Sequence, residues 1–257
     1  MRFVGLDLAW SARYPSGGVV LRWEGTSAVA HLWSTDLGDD GEIVAWATAG
    51  LGGEGALVAI DAPLRVPNIT GTRRADRELS AAYRRQEAGA YPVNRQLLGP
   101  MIRGEVLTRK FQARGFTLSP RVRQKEESRQ VVEVYPHPAL VELFGLTRTL
   151  KYKARPGRSY AQRWTELRTL RDLLATLALR EPALEAQPLL DELEPWGLRG
   201  RSLKRLEDLL DALTCAYAAL HLWYWGEGGY RTFGDLGTGF ILVPIWPPSP
   251  SMSVGRG

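Results

Sequence analysis

The sequence is poor in the residues that form covalent cross-links and soft-metal sites. Its 257 residues include a single cysteine, Cys215, and three histidines. One cysteine excludes an internal disulfide and any metal site built from several cysteines. There is also no run of about eighteen apolar residues, so no membrane-spanning segment or membrane partner is predicted. Asp7 interrupts the first apolar stretch, which is not the layout of a signal peptide. We therefore expect a cytoplasmic protein.

Positive charge is what the sequence has in excess. The formal net charge is +5, and residues 65–129 hold fifteen arginines and lysines against six acids. Such a segment is either a solvated helical surface or a face that binds phosphate, for which the planar guanidinium fork is well matched. On the second interpretation, Arg73 and Arg74 are candidate substrate-binding residues. The charge excess alone does not choose between the two.

The order of apolar patterns predicts an α/β fold. Three runs with short turns between them open the chain, a short helix follows, and "ALVAIDAPL" and "RQVVEVYPHPAL" read as two further buried strands. A basic helical insertion over residues 65–128 separates these last two strands, and long helices follow them. We therefore expect one domain over residues 1–246, with a mixed five-stranded sheet and helices on both faces. Residues 247–257 are expected to be a flexible tail.

Acidic residues occur on three of the predicted strands. Asp7 lies in "GLDLA", Asp61 in "AIDAP" and Glu133 in "VEVYP". The carboxyl ends of parallel strands meet at one crevice, which is where ligands bind in open α/β sheets. A buried carboxylate costs several kcal/mol unless a cation or hydrogen-bond donor compensates it. Each acid alone is as well explained by a cap or an arginine partner, but the joint pattern indicates a site.

The last long helix adds two more acids. In "LEDLLDALTCAYAAL", Asp208 and Asp211 are three positions apart and share a helix face. No histidine cluster or lone lysine offers an obvious counter-charge, so we expect Mg²⁺ or Mn²⁺, which prefer carboxylate oxygens. The predicted metal ligands are Asp7, Asp61, Asp208 and Asp211. The predicted catalytic residues are Asp7, Asp61, Asp211 and Glu133.

Two loops supply further candidate substrate-binding residues. His137, in "YPHPAL", could orient a water or bind phosphate, although loop histidines are commonly just partly exposed. Lys151 and Lys153 bracket Tyr152 in a basic loop that either holds a phosphate or is simply solvated.

Several motifs together resemble one known family. "GLDLAW", "AIDAPL", "EVYPHPAL", "KYK" and "DLLDALTCAYAA" are similar to the domain-of-unknown-function family 429, whose members are predicted nucleases of the RNase H-like fold. The resemblance covers nearly the whole chain. It implies a sheet ordered 3-2-1-4-5 with strand 2 antiparallel, and metal-binding acids on strand 1, strand 4 and the final helix. These acids correspond to Asp7, Asp61 and Asp211, whereas Glu133 on strand 5 departs from the pattern.

The resulting functional hypothesis is a metal-dependent nuclease that hydrolyses phosphodiester bonds of DNA or RNA, with nucleic acid as its partner. Two alternatives remain. An ATP-binding protein of the actin or sugar-kinase type would need glycine-rich phosphate loops after strands 1 and 4. The stretch "GLDLAWSARYPSGG" has its glycines late, and "IDAPLRVPN" has none. The other alternative is a nucleic-acid-binding protein that has the fold but no catalytic activity.

Overall fold

A mixed α/β fold with a large central sheet carries the candidate site residues. The computed structural model describes residues 1–11 and 13–247. The predicted tail over 247–257 therefore lies, apart from its first residue, outside the described residues. None of the helices in the described part is long and apolar enough to cross a membrane.

The described residues form a central sheet of seven strands. In chain order these are β1 (Arg2–Asp7), β2 (Ser16–Trp23), β3 (Ser27–Leu37), β4 (Ala56–Asp61), β5 (Thr117–Leu118), β6 (Arg129–Glu133) and β7 (Ala183–Glu185). Their order across the sheet is β5-β6-β4-β1-β2-β3-β7. The strand β1 is antiparallel to β2 and parallel to β4, and β4 is parallel to β6. The sheet is therefore mixed.

The predicted strand count and order differ from this arrangement. The sheet has seven strands rather than five, because β5 and β7 extend its two edges. These strands have two and three residues, so neither is long enough to show an apolar period in the sequence. Only their pairing with β6 and β3 defines them as strands.

Helices cover both faces of the sheet. They are α1 (Asp40–Thr48), α2 (Arg74–Ala82), α3 (Arg95–Leu98), α4 (Arg103–Gln112), α5 (Pro136–Phe144), α6 (Tyr160–Ala175), α7 (Gln187–Asp191) and α8 (Gly200–Trp225). The helix α8 is apolar on nearly all sides after its first turns, as expected of a helix buried in a core. It packs on β1, β2 and β4, while α1 and α4 pack together on the other face.

A glycine lets α8 approach the sheet closely. A Cβ atom at Gly5 of β1 would lie 2.0 Å from the carbonyl oxygen of Ala212 and 2.2 Å from the amide nitrogen of Ala216. Real Cβ atoms do not approach backbone so closely, so only glycine fits at this crossing. The contact sets the distance between α8 and β1.

The insertion between β4 and β6 is only partly helical. It contains α2, α3, α4 and the edge strand β5, and Gly99 and Pro100 lie in the segment that separates α3 from α4. A hairpin of β8 (Tyr230–Asp235) and β9 (Gly239–Pro244) packs against α2. The guanidinium of Arg103 fastens the insertion to the rest of the domain. It pairs with Asp40 at 2.8 Å and donates to the carbonyl oxygen of Ala9 at 2.8 Å.

Candidate functional site

Asp7 and Asp61 stand side by side at the ends of two parallel strands. Each is the last residue of its strand, and the two are paired in the register of β1 and β4. Paired residues of neighbouring strands point to the same face of a sheet. That face is the one covered by α8, because Gly5, two residues before Asp7, contacts this helix. The predicted juxtaposition of these two acids is therefore present.

The helix α8 brings further acids over the same strand ends. A Cβ atom at Gly17, the partner of Asp7 on β2, would lie 2.7 Å from the carbonyl oxygen of Asp208. Asp208 is partly buried, and Asp211, one turn later, is fully buried. Glu207, which is also buried, completes the acidic surface of the helix.

The pKa values of three of these acids, Asp61, Asp208 and Asp211, are raised. Burial, with a further contribution from the charge of Asp7, raises the pKa of Asp208 to about 8. Burial likewise raises the pKa of Asp211 to about 6, although Lys153 opposes the shift. Burial and the neighbouring Asp7 raise the pKa of Asp61 well above its usual range. Burial and neighbouring carboxylates therefore disfavour the ionised forms of these three acids.

One oxygen of Asp7 lacks a partner. Oδ2 of this side chain is buried and accepts no hydrogen bond from the described residues. A buried carboxylate oxygen without a donor or cation is costly, and native proteins seldom leave one so. This oxygen is therefore free to accept a cation.

Lys153 supplies a counter-charge that the sequence did not reveal. Its ammonium group donates a hydrogen bond to Oδ2 of Asp211 and lies 3.3 Å from Oε1 of Glu207. The hydroxyl of Tyr152 donates to the other oxygen of Asp211 at 2.6 Å. Burial disfavours the charged lysine, but Asp211 and Asp7 outweigh it and hold the pKa of Lys153 well above its usual range. The expectation that no lysine neutralises these acids is therefore wrong.

The carboxylate oxygens are the ligand type that a divalent cation prefers, but the side chains are only partly arranged to bind one. Among the described residues, no three Asp, Glu, His or Cys side chains are grouped closely enough to form a ready metal site. Lys153 and Tyr152 already use both oxygens of Asp211. Lys204 likewise donates to Oδ1 of Asp208. The oxygens still open to a cation are those of Asp7 and Asp61 and the second oxygen of Asp208. Oxygen donors of this kind suit Mg²⁺ or Mn²⁺.

Three of the acids, Asp7, Asp61 and Asp208, line a cleft of about 1010 Å³. Arg13, Arg155 and Arg201 line the same cleft with positive charge. These three arginines lie outside the insertion. Several arginines of the basic insertion form ion pairs within the insertion, such as that of Arg95 with Glu105. The positive charge at the cleft therefore comes largely from other segments.

Glu133 and Arg73 belong to a buried ion cluster rather than to the acidic pair. Glu133 is level with Ile60, one position before Asp61, so strand alternation directs its side chain to the opposite face. The guanidinium of Arg73 makes five hydrogen bonds, to Asp76, Glu133 and the carbonyl oxygen of Arg65. These use all of its N–H groups. Both residues also line the cleft that Asp7 and Asp61 line, and the predicted catalytic role of Glu133 and substrate-binding role of Arg73 stay predictions.

Three other predicted substrate-binding residues are placed as follows. Arg74 is half-exposed, pairs with Glu78 at 2.6 Å and does not line the cleft. Lys151 pairs with Glu87 at 2.5 Å and also lies outside the cleft lining. His137 does line the cleft. Burial, and then the positive charges of Lys153 and Arg155, lower the pKa of His137 to about 3, so the ring is neutral and cannot hold phosphate as a cation.

Comparison with known proteins gives one match. Residues 5–235 match the model of a family described as a protein of unknown function, DUF429. The chain belongs to this family. The match confirms the resemblance that the sequence motifs indicated. No curated protein and no solved structure matches the chain.

Sequence reasoning missed several members of this DUF429 site. Tyr152 lies inside the "KYK" motif, where the two lysines drew attention instead. Glu207 precedes Asp211 by four positions, a spacing that places both on one helix face and could have been recognised. Arg163, which bonds Glu207 at 3.0 Å and the Tyr152 carbonyl at 2.8 Å, lies in α6 and carried no sequence signal.

Proposed function

We propose that this DUF429 protein is a metal-dependent nuclease that hydrolyses phosphodiester bonds of DNA or RNA. The observation that carries the proposal is the register pairing of Asp7 with Asp61 beneath α8, with one buried Asp7 oxygen left without a partner. An acidic pair of this kind, in an open cleft, is suited to holding an oxygen-seeking cation. It has no evident use in stabilising the fold, because burial and the charge of Asp7 raise the pKa of Asp61.

The sheet supports an RNase H-like assignment of the fold. Its five longest strands lie side by side in the order β3-β2-β1-β4-β6, and β2 is antiparallel to β1. The acids come from β1, from β4 and from the long helix α8, which are the three places that the family resemblance implies. We therefore assign the two edge strands as additions to an RNase H-like sheet.

Asp7, Asp61 and Asp208 would hold the Mg²⁺ or Mn²⁺ ion. When bound, such an ion lowers the pKa of a water and neutralises charge on a phosphate. Asp211 keeps Lys153 and Tyr152 in place, so the ammonium group stays among the residues that line the cleft. The neutral His137 ring is available to orient a water or a hydroxyl group, but not to compensate charge.

The proposal is tested by incubating the full chain with labelled DNA and RNA, single-stranded, duplex and branched. We expect cleavage with Mg²⁺ or Mn²⁺ and none with EDTA. Asp7→Asn should lower the cleavage rate by about 100-fold or more. The variant would bind the metal ion less well, and the ion's stabilisation of the transition-state charge is worth several kcal/mol. Glu24→Gln, in the exposed turn between β2 and β3, is the matched control and should leave the rate unchanged.

Direct metal binding separates the alternatives. Mn²⁺ binding, followed by electron paramagnetic resonance, should weaken in Asp7→Asn and not in Glu24→Gln. Cleavage that survives Asp7→Asn would contradict the assignment. Mn²⁺ binding through Asp7 without cleavage of any substrate would instead favour the nucleic-acid-binding protein that lacks catalytic activity. ATP binding in a calorimetric titration would favour the actin-like alternative.

A further inference from the structure

Exposed aromatic side chains line the cleft. Trp10 and Tyr14 each expose 68% of their surface and Tyr91 exposes 59%, and all three are cleft residues. Large aromatic side chains usually contribute to stability by burial. These three are mostly exposed and therefore contribute little in this way. Tyr152 and Tyr217, by contrast, are fully buried. Exposed rings gathered around one cleft indicate a ligand with flat faces.

The three aromatic residues come from two separate segments. Trp10 and Tyr14 belong to the connection between β1 and β2, immediately after Asp7, and Tyr91 belongs to the insertion between α2 and α3. Arg155 holds Tyr91 in place: its guanidinium lies 5.5 Å from the ring centroid and donates a hydrogen bond to the hydroxyl group. The ring and the guanidinium therefore lie next to each other in the lining of the cleft.

Positive charge accompanies these rings. Arg13 and Arg201 line the same cleft, and neither forms an ion pair with any described residue. Two other basic residues of α8 do form ion pairs: Lys204 pairs with Asp208, and Arg205 pairs with Asp36. Guanidinium groups without acidic partners, beside an acidic cation site, fit phosphate groups that would share the cation.

We infer that the cleft binds a nucleic-acid strand with unpaired bases. This inference rests on the proposed function and names its substrate class. Bases stack on Trp10, Tyr14 and Tyr91, while the phosphates contact Arg13 and Arg201. Within a duplex, both faces of each base are covered by neighbouring base pairs, so only an unpaired or displaced base can stack on a side chain. The rings lie beside the acidic residues, so the strand passes over Asp7.

Binding is measured without metal, so that cleavage plays no part. Fluorescence anisotropy in EDTA compares a labelled single strand with a duplex of the same length and sequence, using the full chain. We expect the single strand to bind at least about tenfold more tightly. Trp10→Ala should weaken single-strand binding by about 5- to 100-fold, the usual effect of losing one stacked base, and should leave duplex binding nearly unchanged. Trp10→Phe should restore most of the affinity.

Two further variants complete the test. Trp196→Ala removes an exposed tryptophan outside the cleft, with 48% of its surface accessible, and should have no effect on binding. Tyr91→Ala should weaken single-strand binding as Trp10→Ala does. Thermal unfolding of each variant establishes that it is folded.

Three results would overturn the inference. They are equal or tighter binding of the duplex, unchanged binding by both Trp10→Ala and Tyr91→Ala, and no binding of either nucleic acid near 0.1 M salt. The last result would point to a protein as the partner of these rings. Because the measurement needs no metal, Trp10-dependent single-strand binding without any cleavage would support this inference and contradict only the nuclease. Asp7-dependent cleavage that Trp10→Ala does not affect would contradict only this inference.

Discussion

Lys153 lies 58 positions before Asp211 in the chain, and its ammonium group donates a hydrogen bond to the carboxylate of that residue. Asp211 is fully buried within α8, whereas the side chain of Lys153 retains 30% of its exposure from a loop. The pair therefore joins the core helix to the wall of the cleft. It also gives the acidic site one positive charge that needs no metal ion.

Replacing Lys153 by methionine should expose the role of this charge. Lys153→Met leaves Asp211 and Glu207 without their nearest shared cation, so the free energy of unfolding should fall by about 2 kcal/mol. Millimolar Mg²⁺ or Mn²⁺ should raise the melting temperature of the variant more than that of the wild type, because the ion takes over the missing charge. Thermal unfolding with and without the ion measures both effects.

Lys151→Met is the control for that variant. Lys151 pairs with Glu87 at the surface. Its replacement should therefore change neither the free energy of unfolding nor the response to divalent ions appreciably. Equal stabilisation of the wild type and Lys153→Met by the ions would count against Lys153 as the counter-charge.

The ion cluster around Arg73 should be a major source of stability. Arg73→Ala leaves Asp76 and Glu133 buried without a cation and should cost about 3 to 5 kcal/mol in urea unfolding. Arg73→Lys should not recover the loss, since an ammonium group cannot make five hydrogen bonds in this geometry. Arg74→Ala, at the exposed neighbouring position, should remain close to the wild type. A small effect of Arg73→Ala would show that the cluster is dispensable.

The close approach of α8 to β1 should tolerate no side chain. Gly5→Ala places a methyl group 2.0 Å from the Ala212 carbonyl oxygen, so α8 must move or the fold must loosen. We expect a loss of about 3 kcal/mol or more, measured by urea unfolding. Gly53→Ala, where a Cβ atom would meet open space, is the matched control and should be nearly neutral. Wild-type stability of Gly5→Ala would disprove this packing.

His221 should make stability depend on pH. The ring is fully buried, Nε2–H donates to the Ile245 carbonyl at 2.9 Å, and Nδ1 has no partner among the described residues. Burial lowers the pKa of His221 to about 4, below the value of about 6.5 of an unfolded histidine. The unfolded chain therefore takes up the proton first as the pH falls. The contribution of His221 is complete above about pH 6.5 and is lost as the pH falls towards 4.

The comparison variant is His221→Gln, which keeps an amide donor and does not titrate. Between about pH 7.5 and about pH 5, the wild type should lose about 2 kcal/mol more than this variant in urea unfolding. The difference between the two proteins removes the contribution of the titrating carboxylates. Parallel pH profiles would show that His221 is not protonated on unfolding.

The main elements of the fold follow from local patterns in the sequence. The long buried strands β1 and β4, and the apolar helix α8, are recognisable because each is long enough to show its period. The acids at their ends are recognisable because burial makes a carboxylate costly there. The edge strands β5 and β7 were not foreseen, since strands of two and three residues are defined by the partners they pair with. The strand β8 was not foreseen because only two of its six residues are buried, so it shows no apolar alternation.

The sequence by itself determined a mixed α/β protein of this family, with Asp7 and Asp61 ending two buried strands. Only the tertiary structure decided which charges meet. Glu133 pairs in register with Ile60, one position before Asp61, so its side chain points away from the Asp7–Asp61 pair and bonds Arg73 instead. A loop brings Lys153 to Asp211 across 58 residues of chain. Pairing between distant charges depends on distances of a few ångströms in the folded chain, and no local pattern of residues encodes such distances.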